Sequence, residues 1–247
     1  MKNYNYGFNT PRLLTNPAYY HKIISCGTFI YLDLIPAQKS RSFNVFRLLG
    51  STVTLQYAKA KRHPTLKEIH LVKGWNQSGT TFINTLLYYR NSTACKYKER
   101  IDALINMIMA LPESFSYADV VKAVDSHIIT TMFNVARKSL SEAPSLVSMK
   151  EKTEHEKSID RISALITQNL AGYYPTNVRV GLRTFEAGIE IEDRPNWIKS
   201  IECQKMTHDH KITNSIVNLL GEFDDPLAAL LEAYTFVEVS EPLNECN

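Results

Sequence analysis

Between Pro112 and Gly172 apolar residues recur at helical spacing behind residues that cap helices, a pattern that folds as two or three consecutive helices. Ser114 and Ser116 offer N-caps ahead of Tyr117, Ala118, Val120, Val121 and Val124. Asp125-Ser126 reads as a break and a second cap. After it, Ile128, Ile129, Met132, Phe133, Ala136 and Leu140 form a broad apolar stripe. Two short helices about a tight polar turn make the outline of a helix-turn-helix. Its second helix would present His127, Thr130, Thr131, Asn134, Arg137 and Lys138 outward, and Asn134 and Arg137 carry groups able to read base edges. The turn lacks the glycine usual in such motifs, and an ordinary helical hairpin produces the same pattern.

The chain ahead of this stretch has a different period. Residues 1–18, rich in Asn, Tyr and Pro, read as an extended arm that docks on a neighbouring subunit or lies on its own chain. Residues 19–92 read as a β-rich region. Tyr19 to Ile35 is dense in β-branched and aromatic residues and is expected as two strands or one bulged strand split by Gly27. Phe43 to Leu49, Thr52 to Ala58, Leu66 to Val72 and Thr80 to Tyr89 continue the theme, with Gly50 as a separator.

Two features of this region bear on chemistry. Lys59, Lys61, Arg62, His63 and Lys67 cluster at one connection, with Lys73 and Trp75 close in sequence. Such a loop can hold phosphates while Trp75 or Tyr57 stacks on a base, although charged loops also keep sheet edges soluble. Gly74 to Thr81 has the glycine spacing of a phosphate-binding loop, with Thr80 where the lysine should stand. A hairpin turn explains it better, and nucleotide hydrolysis is rejected.

Residues 93–236 read as mainly helical. The first long helix spans Thr93 to Leu111, with Ile101, Leu104, Ile105 and Ile108 on its buried face and Pro112 ending it. Ser141 to Ser148, containing Pro144, is expected as a hinge or wing. Met149 to Leu170 forms a helix whose charged first half projects into water. A hairpin follows near 177–192, its strand carrying Arg179 and Arg183 on the face opposite Val178, Val180 and Leu182. Those arginines would serve as a wing beside the helix pair, or pair with Glu190, Glu192 or Asp193 across the strands. Cys203, His208, Asp209 and His210 resemble a metal set but match no standard spacing, so no metal or other cofactor is expected. Lys211 to Leu220 and Pro226 to Tyr234 are the closing helices, and 237–247 is an acidic tail.

A content of 44% hydrophobic and 21% charged residues excludes disorder as the main state, and a net charge of +3 is too small for wrapping of nucleic acid. Four widely spaced cysteines and a polar N-terminus point to a reducing cytoplasm, and no apolar run approaches the ~18 residues needed to span a bilayer. The expected class is α+β: an N-terminal, largely antiparallel sheet, a helical region with the helix-turn-helix outline and hairpin, and a C-terminal helical pair. The expected function is a non-catalytic nucleic-acid-binding accessory or regulatory protein. Its phosphate contacts would come from Lys59, Lys61, Arg62, Lys67, Thr130, Asn134, Arg137, Lys138, Arg179 and Arg183. Two alternatives stand beside it. One is a structural or assembly protein of a phage or mobile element acting through protein contacts or self-association; the other is a hydrolase or transferase with a site assembled from distant residues.

Overall fold

The computed structural model of the chain describes residues 4–24, 26–34, 36–37, 43–58, 62–135, 143–148, 205–208 and 215–237. In chain order its elements are β1 (Tyr4–Asn9), α1 (Pro17–Ile24), β2 (Cys26–Tyr31), β3 (Val45–Leu48), β4 (Ser51–Thr54), α2 (Thr81–Asn91), α3 (Lys98–Met109) and α4 (Tyr117–His127). A π-helical turn at Ile128–Met132 follows, then β5 (Ser145–Ser148), β6 (Lys205–His208), α5 (Ile216–Glu222), α6 (Pro226–Ala233) and β7 (Tyr234–Val237). The fold is mixed α+β.

The largest sheet among the described residues has the order β1-β2-β5, and both of its pairings are parallel, with Tyr6 opposite Thr28 and Phe29 opposite Leu146. Among the described residues, the antiparallel pairing expected of the N-terminal part is limited to the β3–β4 hairpin and isolated bridges. There Leu49 and Gly50 both take left-handed backbone angles, φ +49° and +76°, the two-residue turn that matches strand twist. Parallel neighbours require a crossover, and α1 supplies it between β1 and β2.

Helix α1 takes the first part of the run read as strand, Tyr19 to Ile24. Asn16 accepts the Tyr19 N–H at 3.1 Å through its side chain, and Pro17 stands at the first helical position, where a missing N–H costs nothing. Tyr19, Tyr20, Ile23 and Ile24 then fall on one buried face. The segment Thr80 to Tyr89 is likewise a helix. Thr80 caps α2 by accepting the Ile83 N–H, and Phe82, Ile83, Leu86 and Tyr89 form its buried stripe. Residues 1–18 contribute β1 to the chain's own sheet, and the segment expected as a wing contributes β5. Leu66 to Val72 makes only isolated bridges.

The tight turn of the helix-turn-helix outline is not formed. Helix α4 begins at a capping box between Ser116 and Asp119 and runs through Asp125 and Ser126 into the π turn without a break. Asp125 cannot cap a new helix because its side chain is 0% exposed and accepts hydroxyls from elsewhere in the core. Helix α3 buries Ile101, Leu104, Ile105 and Ile108 as its spacing dictates.

Two sets of hydrogen bonds hold the turn before α2 and the C-terminal helices in place. The Asn76 side-chain amide, 3% exposed, donates to the carbonyls of Ile108, Met109 and Leu111 at 2.9, 3.3 and 3.1 Å, at the end of α3 where the helical ladder runs out, and the Ile108 carbonyl also accepts the Leu111 N–H at 3.1 Å. Asn76→Ala is therefore expected to cost about 1–2 kcal/mol, read as a shift in the urea midpoint at unchanged m-value. The second set centres on α5. Its Ser215 cap donates to the Leu14 carbonyl at 3.0 Å, and the Gly221 carbonyl accepts from Lys96 and Tyr97 N–H at 2.8 and 3.0 Å. Arg100 donates to the Phe223 and Asp224 carbonyls, both at 2.6 Å. The core runs through all these parts: Ile23, Phe29, Leu104, Val121 and Leu219 are each 0% exposed, each worth about 1.5–3 kcal/mol by burial.

Candidate functional site

Of the candidate phosphate-binding residues, Arg62 and Lys67 lie exposed on a single loop, 58–70. The ends of that loop are tied by an antiparallel bridge between Tyr57 and Leu71, with Ala58 N–H on the His70 carbonyl at 2.9 Å and Val72 N–H on the Gln56 carbonyl at 3.1 Å. Its middle is fixed to the segment after β2: Thr65 bridges Pro36, Ala37 N–H donates to the Pro64 carbonyl, and Lys67 N–H donates to the Asp33 carbonyl, the last two at 2.9 Å. Leu66 and Ile69, both 0% exposed, plant it in the core. Tyr117 N–H donates to the Ile69 carbonyl at 2.7 Å, and His70 bridges Ser116, so the loop docks on the start of α4. A loop held at this many points presents Arg62 and Lys67 from a fixed base.

The loop's charge is lopsided. Four lysines and arginines (Lys59, Lys61, Arg62 and Lys67) stand against one carboxylate, an excess as large as the +3 of the whole chain. That carboxylate, Glu68, accepts the Thr65 N–H at 3.0 Å and the Thr65 hydroxyl at 3.1 Å, so part of its hydrogen-bonding capacity is already taken within the loop. At the loop's foot the Tyr57 ring is 44% exposed, whereas Trp75 is 5% exposed and packed on Phe82 at a centroid distance of 5.8 Å. Of the two aromatic residues expected to stack on a base, only Tyr57 can be reached.

Of the other candidate residues, Thr130 and Asn134 lie beyond the end of α4 and not on this loop. Thr130 is exposed and donates its hydroxyl to the Ser126 carbonyl at 2.7 Å. Asn134 is half-buried at φ +52°. Along the helix axis Thr130 is about 20 Å from Tyr117, where the loop docks. Lys59, Lys61, Arg137, Lys138, Arg179 and Arg183 lie outside the described residues, as do Cys203, Asp209 and His210; His208 pairs with Tyr234 through its backbone. Among the described residues no group of three or more metal-ligating side chains converges, and no helix is long and apolar enough to cross a membrane.

A second polar constellation has no counterpart among the sequence-based expectations. The Asp125 carboxylate accepts hydroxyls from Tyr19 of α1 at 3.0 Å and Tyr31 of β2 at 2.9 Å, both on Oδ2, while its Oδ1 has no hydrogen-bond partner. The Tyr20 hydroxyl lies close enough to act on the same carboxyl electrostatically but does not close a hydrogen bond. Burial pushes the Asp125 carboxyl up to about 7, against the opposing effect of the tyrosine hydroxyls. The three tyrosines are raised well above their ordinary values, by burial first and by the neighbouring Asp125 charge second. On the same helix Lys122 donates to Ser148 of β5 at 2.7 Å and stands 5.8 Å from the centre of the Tyr31 ring. Asp125, Tyr20 and Tyr31 are each 0% exposed, so no substrate reaches this carboxyl in the described conformation; it joins α4 to α1 and the sheet. The sequence carries one signal of it: an aspartate standing on the apolar stripe between Val121, Val124 and Ile128.

Compared with protein-family models, with curated proteins and with solved structures, the chain matches none.

Proposed function

We propose that the chain is a nucleic-acid-binding accessory protein that contacts phosphates through the loop 58–70. The observation that carries this reading is the loop itself: a core-anchored platform that concentrates a local charge excess equal to that of the entire chain. Clustered cations on a fixed base lose little conformational entropy on meeting a phosphate backbone, and binding releases condensed counterions. The chemistry called for is positioning rather than bond-making.

Labelled single- and double-stranded DNA and RNA, titrated across a salt series, test it. Affinity is expected to fall steeply with salt. Joint replacement of Lys59, Lys61, Arg62 and Lys67 by alanine should reduce the slope of log K against log salt by about 0.7–0.9 for each phosphate that is no longer neutralised. A second variant with Arg137, Lys138, Arg179 and Arg183 neutralised reports whether those residues share the surface. Absence of binding even at about 50 mM salt overturns the proposal, and light scattering on the same sample then tests self-association.

A further inference from the structure

We infer that loop 58–70 favours single-stranded over double-stranded nucleic acid, with the Tyr57 ring as the platform on which a base stacks; this rests on the loop being a nucleic-acid contact. The ring is exposed on the solvent side and backed on the other. Phe43 packs against it with centroids 5.8 Å apart and planes tilted by 41°, and Phe43 in turn meets Tyr117 edge-on at 5.0 Å. Tyr117 is 0% exposed and fixed by its hydroxyl, which donates to the Phe43 carbonyl and accepts the Leu13 N–H at 3.2 Å. Three aromatic side chains thus form a ladder from the core to the surface, ending beside the basic loop. The Tyr57 backbone is held as well, through the bridge to Leu71.

Such a ring is already ordered before a ligand arrives, so stacking costs it little entropy. A duplex offers this surface only its phosphates, because its bases are stacked on one another. A single strand can turn a base out onto the ring while its phosphates meet Arg62 and Lys67. Every base has a flat face, so the preference is for strandedness rather than for sequence.

The test compares single- and double-stranded oligonucleotides of equal length at one salt concentration, for the parent chain, Tyr57→Phe and Tyr57→Leu. Leucine keeps an apolar contact with Phe43 but has no aromatic face, and thermal melting of each variant checks that the ladder survives. The parent and Tyr57→Phe should bind the single strand more tightly, by about 5- to 100-fold, and Tyr57→Leu should lose that margin while its duplex affinity is unchanged. Equal binding of both forms by the parent, or a margin that survives Tyr57→Leu, overturns the inference and leaves the phosphate-contact reading standing. Binding of neither form overturns both.

Discussion

Replacing Asp125 by asparagine should raise stability by about 3 kcal/mol more near pH 8 than near pH 4. An ordinary aspartate titrates at about 3.9, whereas burial raises Asp125 to about 7, so the fold favours the protonated form by on the order of 4 kcal/mol. The sign follows from the direction: a raised value contributes stability that is complete below about pH 4 and is lost as pH rises through about 7. Asparagine keeps the shape, stays neutral, and its carboxamide oxygen can accept the same two tyrosine hydroxyls. His21 works in the opposite sense. Burial lowers it to about 4, so its contribution is complete above about pH 6.5 and is lost as pH falls towards 4. His127 is lowered by burial as well and reinforces that trend. In the parent chain the two slopes oppose each other, and removing Asp125 exposes the acid-side loss alone. Urea midpoints from about pH 4 to 8, taken as the difference between variant and parent, cancel every group the substitution does not touch. An asparagine variant that is weaker by the same amount at both ends would mean that Asp125 serves as a charge, against this account.

The elements legible from sequence are those whose signals are local. The α3 stripe, the Ser116 cap, the Gly50 separator and Pro226 at the head of α6 each sit within a few residues of what they specify. Two helices are hidden by residue type. Tyr, Ile and Phe favour strands on average, yet in α1 and α2 these residues fall at helical spacing behind Asn16 and Thr80 caps, and burial of the shared face outweighs propensity. Pro17, inside the segment expected as an extended arm, stands instead at the first position of α1. The parallel pairing of Phe29 with Leu146 spans more than a hundred positions, and no local pattern encodes it. The candidate site divides in the same way. The charges of loop 58–70 are plain in the sequence, but the Tyr57–Leu71 bridge that closes it and the burial that removes Trp75 from the surface are tertiary contacts that residue type alone does not specify. Asp125 misleads for a related reason. Asp-Ser is a frequent capping pair, and only the hydroxyls of Tyr19 and Tyr31, about a hundred positions away, let an aspartate remain inside a helix and inside the core.

Gly221→Ala is the substitution on which intrinsic propensity and packing disagree most. Glycine inside a helix is about 1 kcal/mol worse than alanine, so α5 taken alone should gain from the change. A Cβ at that position would stand 2.5 Å from the Tyr89 hydroxyl oxygen, 2.8 Å from Cε1 and 3.0 Å from Cζ. Tyr89 has little room to retreat, being 0% exposed with its hydroxyl on the Asn218 carbonyl at 3.3 Å and near Glu222 at 3.4 Å. Helix α5 is equally constrained, because the Gly221 carbonyl receives Lys96 and Tyr97 while Ile216 N–H is bound to Thr15. Overpacking of this kind outweighs the propensity gain, and a net loss of about 2–3 kcal/mol is expected. Tyr89→Leu provides the control: in that background the clash is gone, and Gly221→Ala should become neutral or stabilising by up to about 1 kcal/mol. If Gly221→Ala instead stabilises the parent chain, Tyr89 shifts without cost, and the close approach that joins α5 to α2 is not what holds the C-terminal helices in place.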